Sequence, residues 1–389
     1  MVKNARGMNA SQLNIANTDI GEFNDHLRDA VRGGGPFDDP RIQGFATGLF
    51  FLPNANESRP ADAQLARLLE YTDWARLGLA GNLADYEIMD AKGNTVPGSK
   101  VLYNGSPAGY NADPQENIIY VSAHDNETIF DAIQLKAPAK ATIADCVRMN
   151  NLALSLPMFS QGIPFFHADD DILRSKSLDR NSYYSGDWFN NLDWTYTSNN
   201  WGEGLPIEGS SYFDIFQPLL ADPSLVPAPS DIKFAGSVFT EMIRIRKSSP
   251  LFHMQTAGEV NSNLTFLNTG PDQIPDLIVM HLSDKDSIDP MFGEIIVLFN
   301  ANPVEVTFTN ASLVSKNYTL HSVQQKSIDP VVRTSSYEAT NGGFTIPSYT
   351  TAVFVFKEKT ELNLPTLIGV AIIVLLGEIA LIFMRKKNK

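Results

Sequence analysis

The sequence has 389 residues, 43% of them hydrophobic, enough apolar material to fill the cores of two domains and too much for a disordered chain. Acidic residues outnumber basic ones by 44 to 30, and the net charge of −14 argues against nucleic acid or any other polyanionic partner. The single cysteine, Cys146, excludes an intramolecular disulfide and sits in an apolar stretch where it reads as a buried thiol.

The first residues, MVKNARGMNASQLN, lack the apolar run of a secretory signal. Residues 61–77 carry Leu65, Leu68, Leu69 and Leu77 with Arg67, Glu70 and Arg76 between them, which predicts a helix ended by Gly78 and Gly81. Residues 117–122 follow the breaker Asp113-Pro114 as a β-branched and aromatic run, and they stop at His124-Asp125-Asn126-Glu127. Residues 142–155 then predict a helix ended by Pro157. A second strand, 162–166, stops at His167-Ala168-Asp169-Asp170-Asp171. Strand, helix and strand with polar strand ends is the repeating unit of a (β/α)8 barrel, whose active sites form at that face. Both His-Asp clusters are therefore expected to look into one cleft.

A long aromatic and polar loop, 174–229, precedes a predicted amphipathic helix over 231–249. From Leu264 the pattern changes to short β runs at 265–267, 276–282, 294–300, 304–308, 318–321, 343–346 and 352–356, as in a β-sandwich. Residues 367–384 form an apolar run with one charge, Glu378, and Arg385-Lys386-Lys387 follow at once. That reads as a transmembrane helix with a cytoplasmic tail, placing the chain as a single-pass cell-membrane protein with its bulk outside. An outward anchor without an export signal reads as an incomplete chain.

Several strings resemble the pullulanase and limit-dextrinase branch of glycoside hydrolase family 13, across roughly residues 1–357. They are Asn4-Ala5-Arg6-Gly7, Phe23-Asn24-Asp25-His26-Leu27-Arg28-Asp29, Tyr120-Val121-Ser122-Ala123-His124-Asp125-Asn126-Glu127, Leu173-Arg174-Ser175-Lys176-Ser177-Leu178-Asp179-Arg180-Asn181, and Ser185-Gly186-Asp187-Trp188-Phe189-Asn190. The resemblance implies hydrolysis of α-1,6 branches in pullulan, amylopectin or limit dextrins with retention, using a nucleophilic aspartate, an acid/base glutamate and a second aspartate that stabilises the transition state. By motif position Asp125 matches that second aspartate, and His124 matches the histidine that donates to the sugar beside it. Asn126 matches a residue supporting the loop, Arg180 and Asn181 the donor-side wall, and Phe37 an aromatic that stacks a sugar on the acceptor side. Lys176, Asp179 and Asp187 read equally well as an ion-paired loop that never touches substrate.

Two departures limit the match. Asp169-Asp170-Asp171 stands where the family has Gly-Asp-Glu, and the family's acid and nucleophile lie upstream of what matches Met1. The polypeptide alone is therefore expected to be inactive and to depend on an N-terminal partner fragment. No cofactor is required; calcium accompanies the family, and the three aspartates offer it oxygen ligands. The expected fold class is the C-terminal part of a (β/α)8 barrel (1–255), an antiparallel β-sandwich (256–358), and a linker with a C-terminal transmembrane helix (359–389). The alternative is a non-catalytic, membrane-anchored α-glucan-binding protein.

Overall fold

The computed structural model describes residues 11–138 and 140–357. The described residues up to Phe356 belong to one compact unit. The string Asn4-Ala5-Arg6-Gly7 and the apolar run 367–384 lie outside the described residues.

Strand β1 (Glu22–Asn24) runs straight into helix α1 (Asp25–Arg32). Asn24 makes the junction: its carboxamide oxygen accepts the His26 and Leu27 backbone N–H groups at 3.0 and 3.3 Å, satisfying donors that a helix start leaves unpaired. Helix α2 (Ala61–Leu79) extends two residues beyond the predicted end. Two small hairpins follow, β2 (Glu87–Met89) with β3 (Thr95–Pro97), and β4 (Leu102–Tyr103) with β5 (Ser106–Pro107). Next come β6 (Asn117–Ile119), α3 (Ile129–Lys136), α4 (Ile143–Phe159) and β7 (Ile163–Pro164).

Helix α4 starts on a capping box. Thr142 Oγ1 accepts the Asp145 N–H at 3.2 Å, and Asp145 Oδ2 accepts the Thr142 N–H at 2.9 Å. The predicted stop at Pro157 is overrun to Phe159. A proline within a helix costs about 3 kcal/mol, whereas burying Leu156, Met158 and Phe159 returns ~1.5–3 kcal/mol each, so packing wins. Gly162 then turns the chain into β7. Its φ is +97°, and a Cβ there would lie 2.7 Å from the Asn117 and Pro114 carbonyl oxygens.

After α5 (Phe213–Leu220), α6 (Pro229–Arg246) and α7 (Ala257–Asn263) the chain is antiparallel β. Strands β8 (Leu264–Phe266), β9 (Leu277–Ser283), β10 (Glu294–Asn300), β12 (Thr319–Leu320) and β15 (Thr350–Phe356) form one sheet, ordered β12-β15-β10-β9-β8. Strands β11 (Val306–Thr309), β13 (Ser336–Glu338) and β14 (Gly343–Ile346) form the other, ordered β11-β14-β13. Leu277, Val279, Ile296 and Leu298 of the large sheet pack with Phe308, Phe344 and Ile346 of the small one. The alternate residues Ile278, Met280, Ile295, Val297 and Phe299 join Phe159, Met242, Ile245 and Phe252 of the helical layer. Burial on both faces explains why residues 277–280 of β9 and 295–299 of β10 read as unbroken apolar runs.

The expected fold class is corrected here. Among the described residues the parallel strands form one three-stranded sheet, β1-β6-β7, and not a closed barrel; the strand content is mostly the two antiparallel sheets. The parallel strands are short because Tyr120 to Ser122 leave the sheet for the loop beyond it, and Pro164 has no N–H for a further ladder bond. No helix among the described residues is long and apolar enough to cross a membrane, so the transmembrane element of that fold class has no support.

Candidate active site

The parallel pairing brings three chain segments to one end. The register Phe23↔Ile118 and Ile118↔Ile163 aligns β1, β6 and β7, so the residues after each strand emerge side by side. The residues after β1 and β6 border a cavity of about 830 Å³ lined by Phe37, His124, Asp125, Asn126, Arg180 and Asn181, together with Arg28, Asp29 and Tyr120. Thus the six residues singled out from the sequence share one cavity.

His124 and Asp125 form the exposed tip of the loop after β6, with His124 Nε2 3.5 Å from Asp125 Oδ1. The residues on either side of the tip are tied down. The Lys176 ammonium, itself buried, donates to the His124 carbonyl at 2.9 Å. Asn126 adopts φ +63°, a conformation that asparagine tolerates, and its N–H donates to the Arg180 carbonyl at 2.9 Å. Lys176 is in turn placed by Asp131, which accepts from the Lys176 N–H at 2.8 Å, the Ser175 hydroxyl at 2.5 Å and the Leu178 N–H at 3.2 Å. Burial pushes the Asp131 carboxyl up to about 6 against those donors.

Arg180 is the hub of the wall. Its guanidinium donates to the Pro36 carbonyl, fixing the turn that presents the fully exposed ring of Phe37, and its Nε lies 2.8 Å from the buried Glu127 carboxylate. Arg32 reaches the same carboxylate at 2.9 Å. Burial opposes the Glu127 charge, but Arg32 and Arg180 outweigh it and hold the carboxyl below its ordinary value. Lys136, buried beneath, donates to the Gly33 and Ile42 carbonyls at 2.8 Å each, and burial, with Arg32 nearby, lowers its pKa to about 7. Asn181 Nδ2 donates to Glu208 at 2.7 Å on the opposite rim.

The sequence reading assigned no role to Arg28, Asp29 and Tyr120, which build the floor. Arg28 donates to Asp29 Oδ1 at 2.7 Å and to the Tyr120 hydroxyl at 2.7 Å, and the Tyr103 hydroxyl closes on Asp29 Oδ2. Burial works against the Arg28 charge, but Asp29, Tyr120 and Asp25 more than offset it. Arg28 and Asp29 lie in the Phe23–Asp29 string, but the strand that places them, β1, is three residues long and leaves no pattern to read.

The second His-Asp cluster does not join this cavity. His167 and Asp169 to Asp171 are not among the described residues lining it. Instead the His167 N–H donates to Asp170 Oδ2 at 3.2 Å, and Arg174 lies 3.1 Å from His167 Nε2 and donates to the Ala168 carbonyl at 3.0 Å. Burial, with Arg174 beside it, lowers His167 to about 3, and burial raises Asp170 to about 7. A guanidinium beside carboxyls whose pKa burial raises is a poor fit to calcium. Among the described residues, no group of three or more His, Cys, Asp or Glu could hold a metal ion.

Residues 196–357 match the family model for pullulanase-type α-1,6-glucosidases, C-terminal. The chain is 46% identical over 365 residues to Pullulanase 1, chloroplastic, of Arabidopsis thaliana, covering 91% of this chain and 38% of that one. It is 38% identical over 355 residues to the pullulanase of Klebsiella pneumoniae, covering 88% and 32%. The chain belongs to the pullulanase-type family. It corresponds to the C-terminal portion of such a glycoside hydrolase, and it spans about a third of the length of these curated relatives. The crystal structure of Klebsiella pneumoniae pullulanase complexed with maltotriose superposes with a TM-score of 0.85 at 37% identity, covering 90% of this chain and 34% of that one.

Proposed function

We propose that this portion forms one side of a cleft that binds α-glucans and cleaves α-1,6 branches with retention. In this reading Asp125 stabilises the oxocarbenium-like transition state, while His124 donates to the sugar at the cleavage point. Phe37 stacks a sugar on the acceptor side, and Arg180 and Asn181 form the donor wall. The observation that carries the reading is the doubly anchored loop after β6, which brings Asp125 and His124 to the cavity that Phe37 also lines. The maltotriose bound by the Klebsiella relative supports the choice of ligand class.

Retaining hydrolysis needs a nucleophile and an acid/base in addition to the stabiliser. The other carboxylates that line the cavity are engaged: Asp25 by Gln12, Asp29 by Arg28 and Tyr103, Asp38 by the Gly35 N–H and Glu208 by Asn181. In this reading the portion contributes glucan binding and Asp125, and cleavage draws on a nucleophile and an acid/base as well. Calorimetry with maltotriose, run beside a reducing-sugar assay on pullulan, tests this. Binding by the wild type, weakened in Phe37→Ala and without sugar release, is the expected result; absence of maltotriose binding would sink the reading.

A further inference from the structure

The loop that leaves the cleft at Arg180 and Asn181 carries four large rings into solvent. Tyr183, Tyr184, Trp188 and Trp194 are 83, 69, 58 and 61% exposed. Tryptophan is among the more deeply buried residue types on average, and large rings left in solvent along one loop point to an interaction site.

The loop is built to hold these rings still. The Ser182 hydroxyl donates to Asn190 Oδ1 at 2.8 Å and Asn190 Nδ2 to the Ser182 carbonyl at 3.1 Å, which closes residues 182–190 into a ring. Asn200 Nδ2 donates to the Trp188 carbonyl at 2.7 Å, and the buried ring of Phe189 anchors the underside. Asp193, beside Trp194, accepts from the backbone N–H and hydroxyl groups of both Thr195 and Ser198. The Trp188 indole lies against Gly186: a Cβ there would stand 2.9 Å from the ring, and φ is +100°. Glycine lets the indole pack flat on the backbone while much of the ring stays open to solvent. Tyr183 and Tyr184 meet edge to face at 4.7 Å, so each ring braces the other.

We propose that this loop is a second α-glucan contact, an aromatic platform on which glucose units of a long chain stack outside the cleft. The proposal rests on the α-glucan reading given above. A pyranose presents an apolar C–H face edged by hydroxyl groups, which suits a flat, fixed ring, and a ring already held in place loses little freedom on binding. A neutral polysaccharide also suits a chain of net charge −14, whereas a polyanion does not. Continuity with the cleft argues for the same ligand at both places: Asn181 lines the cavity and Tyr183 lies two residues further on. A polymer seated in the cleft meets the platform at high effective concentration, so the platform raises affinity for polymers and not for short oligosaccharides.

Affinity electrophoresis of the full chain through gels containing amylopectin, with maltotriose calorimetry in parallel, tests this. Trp188→Ala and the double variant Tyr183→Ala/Tyr184→Ala should each raise the apparent dissociation constant for amylopectin by about fivefold, with maltotriose affinity within about twofold of wild type. Trp188→Phe, which keeps a flat ring, should retain most of the retardation and serves should the alanine variant misfold. Wild-type retardation in both alanine variants overturns the platform and leaves the cleft reading untouched. Loss of maltotriose binding in the wild type strikes the cleft reading instead; retardation that still depends on Trp188 would then continue to support the platform.

Discussion

Replacing Glu127 by glutamine removes one negative charge from beneath the cleft and almost no volume. The carboxylate is buried and meets Arg32 at 2.9 Å and Arg180 at 2.8 Å, and Lys136 is buried within reach of all three. Glu127→Gln therefore leaves the Arg32 and Arg180 guanidinium groups without their shared counter-charge. Stripping one partner from a buried pair costs about 3–5 kcal/mol. Arg32 is buried and carries the full penalty, whereas Arg180 is partly exposed and contributes less, so the loss should be ~3 kcal/mol. With a urea dependence of about 3 kcal/mol per molar, the unfolding midpoint falls by ~1 M. Urea titration followed by tryptophan fluorescence at pH 7.5 measures it, and the double variant Arg32→Met/Glu127→Leu should recover most of the loss. A Glu127→Gln midpoint within about 0.2 M of wild type would refute the reasoning.

Three further outcomes follow from individual residues. Asp276 is buried at φ +55° with no hydrogen-bond partner for either carboxylate oxygen among the described residues, and burial raises its pKa well above 3.8. A raised carboxyl stabilises the fold below its ordinary value and loses that contribution as pH rises; Asp276→Asn should raise the melting temperature at pH 7 and leave it unchanged near pH 3. Burial opposes the Glu294 charge, but hydrogen bonds from His281, Lys316 and Tyr318 hold its pKa at about 2 against an ordinary 4.5. Its stabilisation is complete above pH 4.5 and lost as pH falls towards 2, so the acid limb of the stability profile should flatten in Glu294→Gln. Lys176→Met removes the donor to the His124 carbonyl while Asp131 keeps its other partners. Maltotriose affinity should fall about five- to tenfold in calorimetry, and wild-type affinity would show that the anchor does not hold the tip.

What could be read from the sequence depended on which groups an element buries. Strand β10 was legible over its whole length, 294–300, because both of its faces are apolar and buried. Helix α2 was legible to within one turn. Helix α1 was not, since its buried residues include His26, Asp29 and Arg32, which leave no apolar period to detect. Helix α3 is buried along its entire length, Asp131, Gln134 and Lys136 included, and so has no polar face to contrast with. At the cleft the motif strings located His124, Asp125 and Phe37. What holds them was not legible, because Glu127 meets Arg32 across 95 positions and Arg180 meets Pro36 across 144. Those ties depend on the parallel register of β1, β6 and β7, which strands of two or three residues do not announce.

The most direct test of the glucan cleft is a crystal structure of the chain soaked with maltotriose. The account predicts a glucose ring hydrogen-bonded to Asp125 and His124 with a neighbouring sugar stacked on Phe37. A trisaccharide bound elsewhere, with that cavity holding only solvent at saturating ligand, would contradict it.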